Sequence, residues 1–270
     1  LDEIVMEMAS AHAEEKDGDY RQDGLLICGN CGEPKECKTE LMGRIVTVPC
    51  LCRCAEAEYE RKQAEWKEKQ RRLAISRMRV EGIQDDSLRD VHFDENDTSR
   101  NTRVCRRFVE KWNDIFKENT GLLMSGPVGT GKTFCAACIA NALIDKGVPV
   151  LMTSFPSVLK VDSFEVNDMI RQAQEYDLIV LDDVGVERES DYALEVAFQF
   201  IDARYRTGKP LIVTTNLTVQ EMASVQNIKL KRIYDRILEM CVLLAFEGKN
   251  RRNDERSRKY GTIKEILADD

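Results

Sequence analysis

Residues 126–133 read GPVGTGKT, a spacing of glycines, lysine and hydroxyl that suits one ligand class. Gly126, Gly129 and Gly131, with Pro127, Val128 and Thr130 between them, let consecutive backbone N–H groups turn inward as an anion nest. A helix opening at Lys132 would add the positive end of its dipole. Lys132 would neutralise the β- and γ-phosphates of a nucleotide, and the Thr133 hydroxyl would ligate Mg²⁺. ATP with Mg²⁺ is therefore the expected ligand.

Two further segments could complete such a site. LIVLDD (178–183) is an apolar run ending in two carboxylates. A buried strand of this kind would set Asp182 beside the Mg²⁺ and Asp183 toward the γ-phosphate, where it could orient or deprotonate the attacking water. IVTTN (212–216) is another apolar run ending in an amide, and Asn216 could hydrogen-bond that water or the γ-phosphate.

A different chemistry lies near the N-terminus. Six of the ten cysteines fall between Cys28 and Cys54. Cys28-x-x-Cys31, with Gly29 and Gly32 to permit a tight turn, has zinc-knuckle spacing. The return pair must come from Cys50, Cys52 and Cys54, with Cys37 as a further alternative; His12 lies far upstream on an acidic stretch. Four protein ligands would make Zn²⁺ structural, because no position stays open for catalysis. Cys105, Cys135, Cys138 and Cys241 sit in apolar stretches and read as small core residues.

The elements that must position these groups divide the chain in three. Residues 1–54 hold the cysteine cluster among turn formers, and residues 55–81 read as a charged helical linker. Within that linker, residues 61–79 carry eight basic and two acidic residues. From residue 82 to 270, short apolar runs alternate with amphipathic helical stretches, which predicts an α/β domain with a largely parallel sheet. Strands are expected at 121–125, 148–154, 177–183, 210–216 and 241–246, as near-continuous apolar runs of the kind buried on both faces. Val104, Phe108, Trp112 and Ile115 fall at helical spacing before the first of these strands. Thr218 with Glu221 three residues on is a capping-box signature.

Composition limits the remaining possibilities. A net charge of −8 argues against a protein that coats nucleic acid with its whole surface, though not against a local basic groove. No apolar run reaches the roughly 18 residues of a membrane span. Residues 1–15 are acidic rather than basic and then apolar, so no secretion leader is expected. Clustered cysteines without one point to metal and a reducing cytoplasm.

GPVGTGKT, LIVLDDVG, LIVTTN, KRIYDRI (231–237) and EGKNRR (247–252), in that order, resemble the AAA+ ATPases. The likeness is closer to the branch holding the DnaC/DnaI-type helicase loaders and the IstB-type transposition helpers. It covers roughly residues 82–268 and implies a three-layer α/β/α P-loop NTPase fold. Only 24 residues follow Phe246, so the helical lid common in such proteins should be reduced. Loaders often carry a small cysteine-rich zinc domain ahead of the ATPase, ending in Cys-x-Cys before a charged helix. On that likeness the return pair is Cys52 and Cys54.

The resemblance implies further roles. Arg236 looks like an arginine finger reaching the γ-phosphate of a neighbouring subunit, with Arg232 as the fallback. Arg252 looks like an arginine contacting nucleotide within its own subunit, with Arg251 beside it. The segment SFPSVLKVDSF (154–164) occupies the place of a DNA-contacting helix, which makes Lys160 and Phe164 candidate DNA contacts and Phe155 a packing residue. Asp183 stands where many AAA+ enzymes have the longer Glu, which implies slow turnover suited to a timing switch. The implied function is ATP-dependent loading of a hexameric replicative helicase onto single-stranded DNA by a self-associating protein, without a membrane. The rival expectations are an IstB-like transposition helper on duplex DNA and a zinc adaptor whose assembly ATP stabilises.

Overall fold

A computed structural model describes residues 13–41, 43–185, 190–248, 250, 260 and 263–264. The chain divides into two compact units, residues 1–73 and 74–270.

The first unit is built from two hairpins. β1 (Tyr20–Gln22) pairs antiparallel with β2 (Leu25–Ile27), and β3 (Glu36–Leu41) with β4 (Arg44–Pro49). So small a unit cannot rest on apolar burial alone. Buried charge ties it instead. The fully buried Glu36 carboxylate accepts from the Leu26 amide at 3.0 Å and from Arg21 at 3.3 Å. Asp19 pairs with Lys35 at 2.5 Å and accepts from the Gly29 amide at 3.0 Å, and the lysine beside it holds the Asp19 carboxyl down at about 2. The helix expected over residues 55–81 is α1 (Arg53–Gly82), whose turns are laced by i,i+4 ion pairs such as Glu58–Lys62 and Glu68–Arg72.

In the second unit the predicted strands are all present: β5 (Gly121–Ser125), β6 (Val150–Ser154), β7 (Leu178–Val184), β8 (Leu211–Thr215) and β9 (Cys241–Ala245). They form one parallel sheet in the order β6-β7-β8-β5-β9. Alternate residues of each strand enter opposite cores. Leu123, Leu151, Ile179, Leu181, Leu211 and Val213 pack on one face, whereas Leu122, Met124, Val150, Met152, Val180 and Ile212 pack on the other. β5 to β8 are buried on both faces, and this is why they read as continuous apolar runs. β9, expected to be buried likewise, is instead exposed at Val242 and Leu243 because it lies at the sheet's edge.

Helices cover each face. The second core takes α2 (Arg100–Glu110), α3 (Trp112–Lys117) and α4 (Lys132–Asp145). The first takes α5 (Phe155–Leu159), α6 (Val166–Glu175), α7 (Asp191–Thr207), α8 (Val219–Ala223) and α9 (Ile228–Met240). The expected three-layer α/β/α architecture is therefore observed. The run from Val104 to Ile115 is not one helix but two, broken at Lys111, whose ψ of 19° departs from the helical value. Thr218 and Glu221 form the expected capping box.

A buried cation holds three elements in place. Arg204 on α7 is completely buried and donates to the carbonyls of Ala173 (3.3 Å), Tyr176 (2.6 Å), Asp177 (2.7 Å) and Pro210. It thereby joins the end of α6 to the starts of β7 and β8. Burial pulls its pKa down to about 9, which leaves it cationic at neutral pH. Arg204→Leu would strand these carbonyls away from water, costing about 3–5 kcal/mol. Thermal unfolding should register a melting temperature lower by roughly 10 °C; an unchanged transition would show that the arginine is dispensable.

Candidate functional site

The nucleotide-type site forms where β5, β7 and β8 end and α4 begins. Parallel strands bring their C-terminal ends to one edge, and the helix after β5 starts there. The loop of residues 126–131 needs left-handed backbone at Gly129 (φ +81°) and Gly131 (φ +96°), which only glycine adopts without strain. Thr130 closes the loop on itself by donating to the Pro127 carbonyl at 2.8 Å. No side chain caps α4 at Gly131, so the first N–H groups of this 14-residue helix are left for an anion.

Four predicted residues meet at this point. Lys132 is 6% exposed, and its Nζ donates to the carbonyls of Gly126 (2.7 Å) and Pro127 (2.9 Å) and to Asn216 Oδ1 (2.8 Å). The Thr133 hydroxyl donates to Asp182 Oδ1 at 2.8 Å. Lysine, hydroxyl, carboxylate and amide, drawn from α4, β7 and the loop after β8, thus form one contiguous cluster. Burial pushes the Asp182 carboxyl above the usual carboxylate range, against the two hydroxyls that donate to it. A divalent cation at this carboxylate would offset that penalty, and Thr133 with Asp182 could hold one.

Asp183 sits differently. It has a φ of +63° and falls inside a register shift between Leu181 and Val184. A bulge turns the bulged residue out of the strand's alternation, and Asp183 is exposed while its neighbours Leu181 and Val184 are buried. The backbone strain at Asp183 is of the kind held by surrounding structure at functional sites.

What holds it is Thr214, a residue that sequence reasoning passed over. Its hydroxyl donates to Asp182 Oδ1 at 2.5 Å and accepts from the Asp183 amide at 3.0 Å, so one side chain sets both aspartates. A polar residue inside an apolar strand, on the face directed at LIVLDD, was the available signal. Also unread was a cavity of about 480 Å³ beside the loop, lined by Asn101, Thr102, Thr130, Cys135 and Phe246. It is large enough for a planar heterocycle and lies next to the phosphate-type nest.

Other predicted residues lie elsewhere. Arg236 stacks over the Phe198 and Tyr205 rings, 5.1 and 4.7 Å from their centroids, and pairs with Asp202 at 2.5 Å. Its contacts are with α7 and not with the Lys132 cluster. Arg232, the fallback, is exposed on the same helix. Phe155 is 3% exposed and packs in the core, Lys160 is exposed at the end of α5, and Phe164 is 95% exposed. His12, Arg251, Arg252 and most of the segment expected to form a reduced lid lie outside the described residues.

The cysteines form a second constellation, in the first unit. The sulfurs of Cys28, Cys31 and Cys52 lie within 4.8 Å of one another. Tetrahedral thiolates on zinc, at about 2.3 Å from the ion, sit about 3.8 Å apart. The turn is set by the Gly32 amide donating to the Cys28 carbonyl at 2.8 Å. The amides of Glu33 and Cys54 help draw the Cys31 thiol down to about 7. Cys54 neighbours Cys31 and accepts from Asn30 Nδ2 at 3.1 Å. Cys50 and Cys37 stand apart from the three-sulfur group and face each other, and the Cys50 thiol is directed at the Pro34 carbonyl at 3.4 Å. The group that could hold a metal is therefore Cys28, Cys31 and Cys52, with Cys54 adjacent.

The double role of Thr214 yields a test. Thr214→Val removes one hydrogen bond to each aspartate and should lower ATP turnover by about tenfold or more. Thr214→Ser, which keeps the hydroxyl, should restore it. Equal turnover in the valine and serine variants would mean that the hydroxyl positions nothing.

The chain is similar to known proteins. The profile of the family described as IstB-like ATP binding protein matches residues 60–259. The replicative helicase loader DnaC of Escherichia coli (strain K12) is 28% identical over 140 residues, covering 49% of this chain. The match spans about half (55%) of DnaC's own length. The replicative helicase loader DnaI of Bacillus subtilis (strain 168) is 24% identical over 246 residues, covering 84% of this chain and 78% of DnaI. Among solved structures, a putative primosome component from Streptococcus pyogenes serotype M3 superposes with a TM-score of 0.51 at 26% identity, over 66% of this chain and 97% of that one. Among the described residues no helix is long and apolar enough to cross a membrane. With its α/β/α layers and P-loop, the chain belongs to the IstB-like ATP-binding family of AAA+ proteins.

Proposed function

We propose that the chain is an ATPase that loads a hexameric replicative helicase onto single-stranded DNA. The observation that carries this reading is the convergence of Lys132, Thr133, Asp182 and Asn216, in a chain similar to proteins named replicative helicase loaders. The nest of residues 126–131 binds the polyphosphate. Lys132 exchanges the Gly126 and Pro127 carbonyls for phosphate oxygens, and the adjoining cavity takes the base. Thr133 and Asp182 hold Mg²⁺, which when bound neutralises charge on the phosphates. Asp183 orients the attacking water and accepts its proton, and Asn216 fixes the water or the γ-phosphate.

Assembly supplies the missing cation. Arg236 serves a neighbouring subunit's γ-phosphate, and Arg252 contacts nucleotide within its own subunit. The pairing of Arg236 with Asp202 and two rings competes with that use, which makes turnover slow until subunits associate. Lys160 and the exposed Phe164 contact single-stranded DNA, by phosphate pairing and base stacking respectively. Residues 1–54 form a zinc domain that docks on the helicase, residues 55–81 a linker, and residues 82–270 the ATPase domain of a cytoplasmic protein.

Turnover and DNA preference test the reading together. The wild type should bind single-stranded DNA when ATP is present, and Asp183→Asn should lower ATP hydrolysis by about 100-fold while retaining ATP binding. Equal hydrolysis by both would remove the assignment of Asp183. ATP-dependent filaments on duplex DNA, without a helicase partner, would replace the loader by a transposition helper. For the metal centre, the purified chain should contain about one zinc per chain. Cys28→Ser should lose it and Cys37→Ser should keep it; folded, metal-free wild-type protein would refute the centre.

A further inference from the structure

The second unit carries a groove of about 820 Å³ between α2 and the start of β5, with Val242 of β9 in its lining; Arg100 stands between it and the cavity beside the loop of residues 126–131. We propose that this groove takes an extended acidic segment of a partner protein, added as a strand along the open edge of β9.

Three features converge on that occupant. First, β9 is an edge strand: among the described residues it pairs with β5 alone, and of its carbonyls Ala245 accepts from the Asn101 side chain at 3.1 Å, which leaves the Cys241–Leu243 stretch without a strand partner on its outer side. An edge with free N–H and C=O groups is a template for strand addition, and proteins commonly guard such edges with lysine, proline or a covering element. Here the strand reads CVLLA, and Val242 and Leu243 are 58% and 50% exposed. Second, the floor of the groove is apolar, formed by Val104, Ile115 and Leu122 with Val242. Alternate side chains of an added strand would have somewhere to bury.

Third, the rim is cationic. Arg100, Arg103, Arg107 and Lys111 follow one another at steps of three and four residues on α2 and its end, so they line one side of that helix. All four are exposed, and none forms an ion pair among the described residues. The neighbouring Arg106, by contrast, is engaged by the Phe93 ring and the Asp94 carbonyl. One carboxylate, Glu110, shares the rim. Four unneutralised cations in one place are a large departure in a chain of net charge −8. Guanidinium forks favour carboxylates in fixed geometry. Carboxylates alternating with apolar residues would meet this rim and this floor together. Nucleic acid fits less well, because the groove's one aromatic, Phe108, is 5% exposed and leaves no face for a base.

The test uses the full chain and a fluorescein-labelled peptide, acetyl-EVEVEVE-amide, titrated by fluorescence anisotropy. Binding with a dissociation constant on the order of micromolar is expected, weakening as sodium chloride is raised. The exposed double substitution Arg103→Glu, Arg107→Glu should weaken it by about tenfold or more, with unchanged thermal unfolding and ATP binding. The glutamine analogue QVQVQVQ should bind at least about tenfold more weakly. The acidic peptide N-methylated at every residue should also fail, because it has no N–H donor left on either edge to pair with a strand. Equal binding of the two peptides, or of the charge-reversed protein and the wild type, would overturn the proposal. So would oligo-dT binding that those substitutions abolish while the acidic peptide fails to bind, which would make the groove a nucleic-acid surface.

Discussion

The hydrogen bond from the Thr133 hydroxyl to the Asp182 carboxylate, 2.8 Å long, joins the helix that follows one strand to the end of another that is not its neighbour. β8 lies between β5 and β7, so the bond is possible only if all three strands end level at the same edge of the sheet. Register enforces this: Ser125 is paired with Thr215, and Leu181 with Val213. The inserted strand is also the source of Thr214 and, immediately after its last residue, Asn216. A sheet with β5 and β7 adjacent would leave no room for either. The phosphate-type nest, the two aspartates and the amide are therefore consequences of a single arrangement of strands, secured by buried apolar residues on both faces.

That arrangement also decides which groups are held and which are free to act. Asp182 is half-buried and pinned by two hydroxyls. Asp183, one residue on, is turned out of the strand's alternation by a bulge, and among the described residues it is tethered through its own amide. Two adjacent carboxylates so acquire different environments, and different environments give different chemistry. Arg236 shows the same economy of position at a distance. Arg236 belongs to α9, and two aromatic rings and Asp202 hold its guanidinium against α7.

The two units solve stability by different means. The larger one buries two apolar layers and uses the buried cation Arg204, with Lys209 bonding Glu175 and Asp177 nearby, to fasten the strand starts opposite the site. The smaller one has little to bury, and its hairpins are tied by Glu36, Asp19 and Lys35 around a group of thiols. A unit of that size ordinarily needs a metal or cross-links, and the sulfur geometry offers a place for one.

The sequence by itself determined the elements and their chemistry. Strands buried on both faces must be apolar throughout, so the runs of β5 to β8 announced a parallel sheet, while β9 read the same although its edge position leaves Val242 and Leu243 exposed. GPVGTGKT announced the nest because its glycines and lysine are local requirements of backbone geometry. LIVLDD and IVTTN marked the strand ends for the same reason. Helix boundaries were less legible: the break at Lys111 leaves the apolar spacing from Val104 to Ile115 intact, so periodicity passes straight over it. Only the tertiary structure decided the strand order, and with it the role of Thr214, whose partners lie about thirty residues away in the chain. It also separated Cys37 and Cys50 from the three clustered sulfurs, a choice that spacing left open because a flexible segment can bring several thiols within reach. Arg204 had no signature at all. A buried cation is specified by carbonyls that converge on it from three segments, and convergence is a property of the fold rather than of any stretch of sequence.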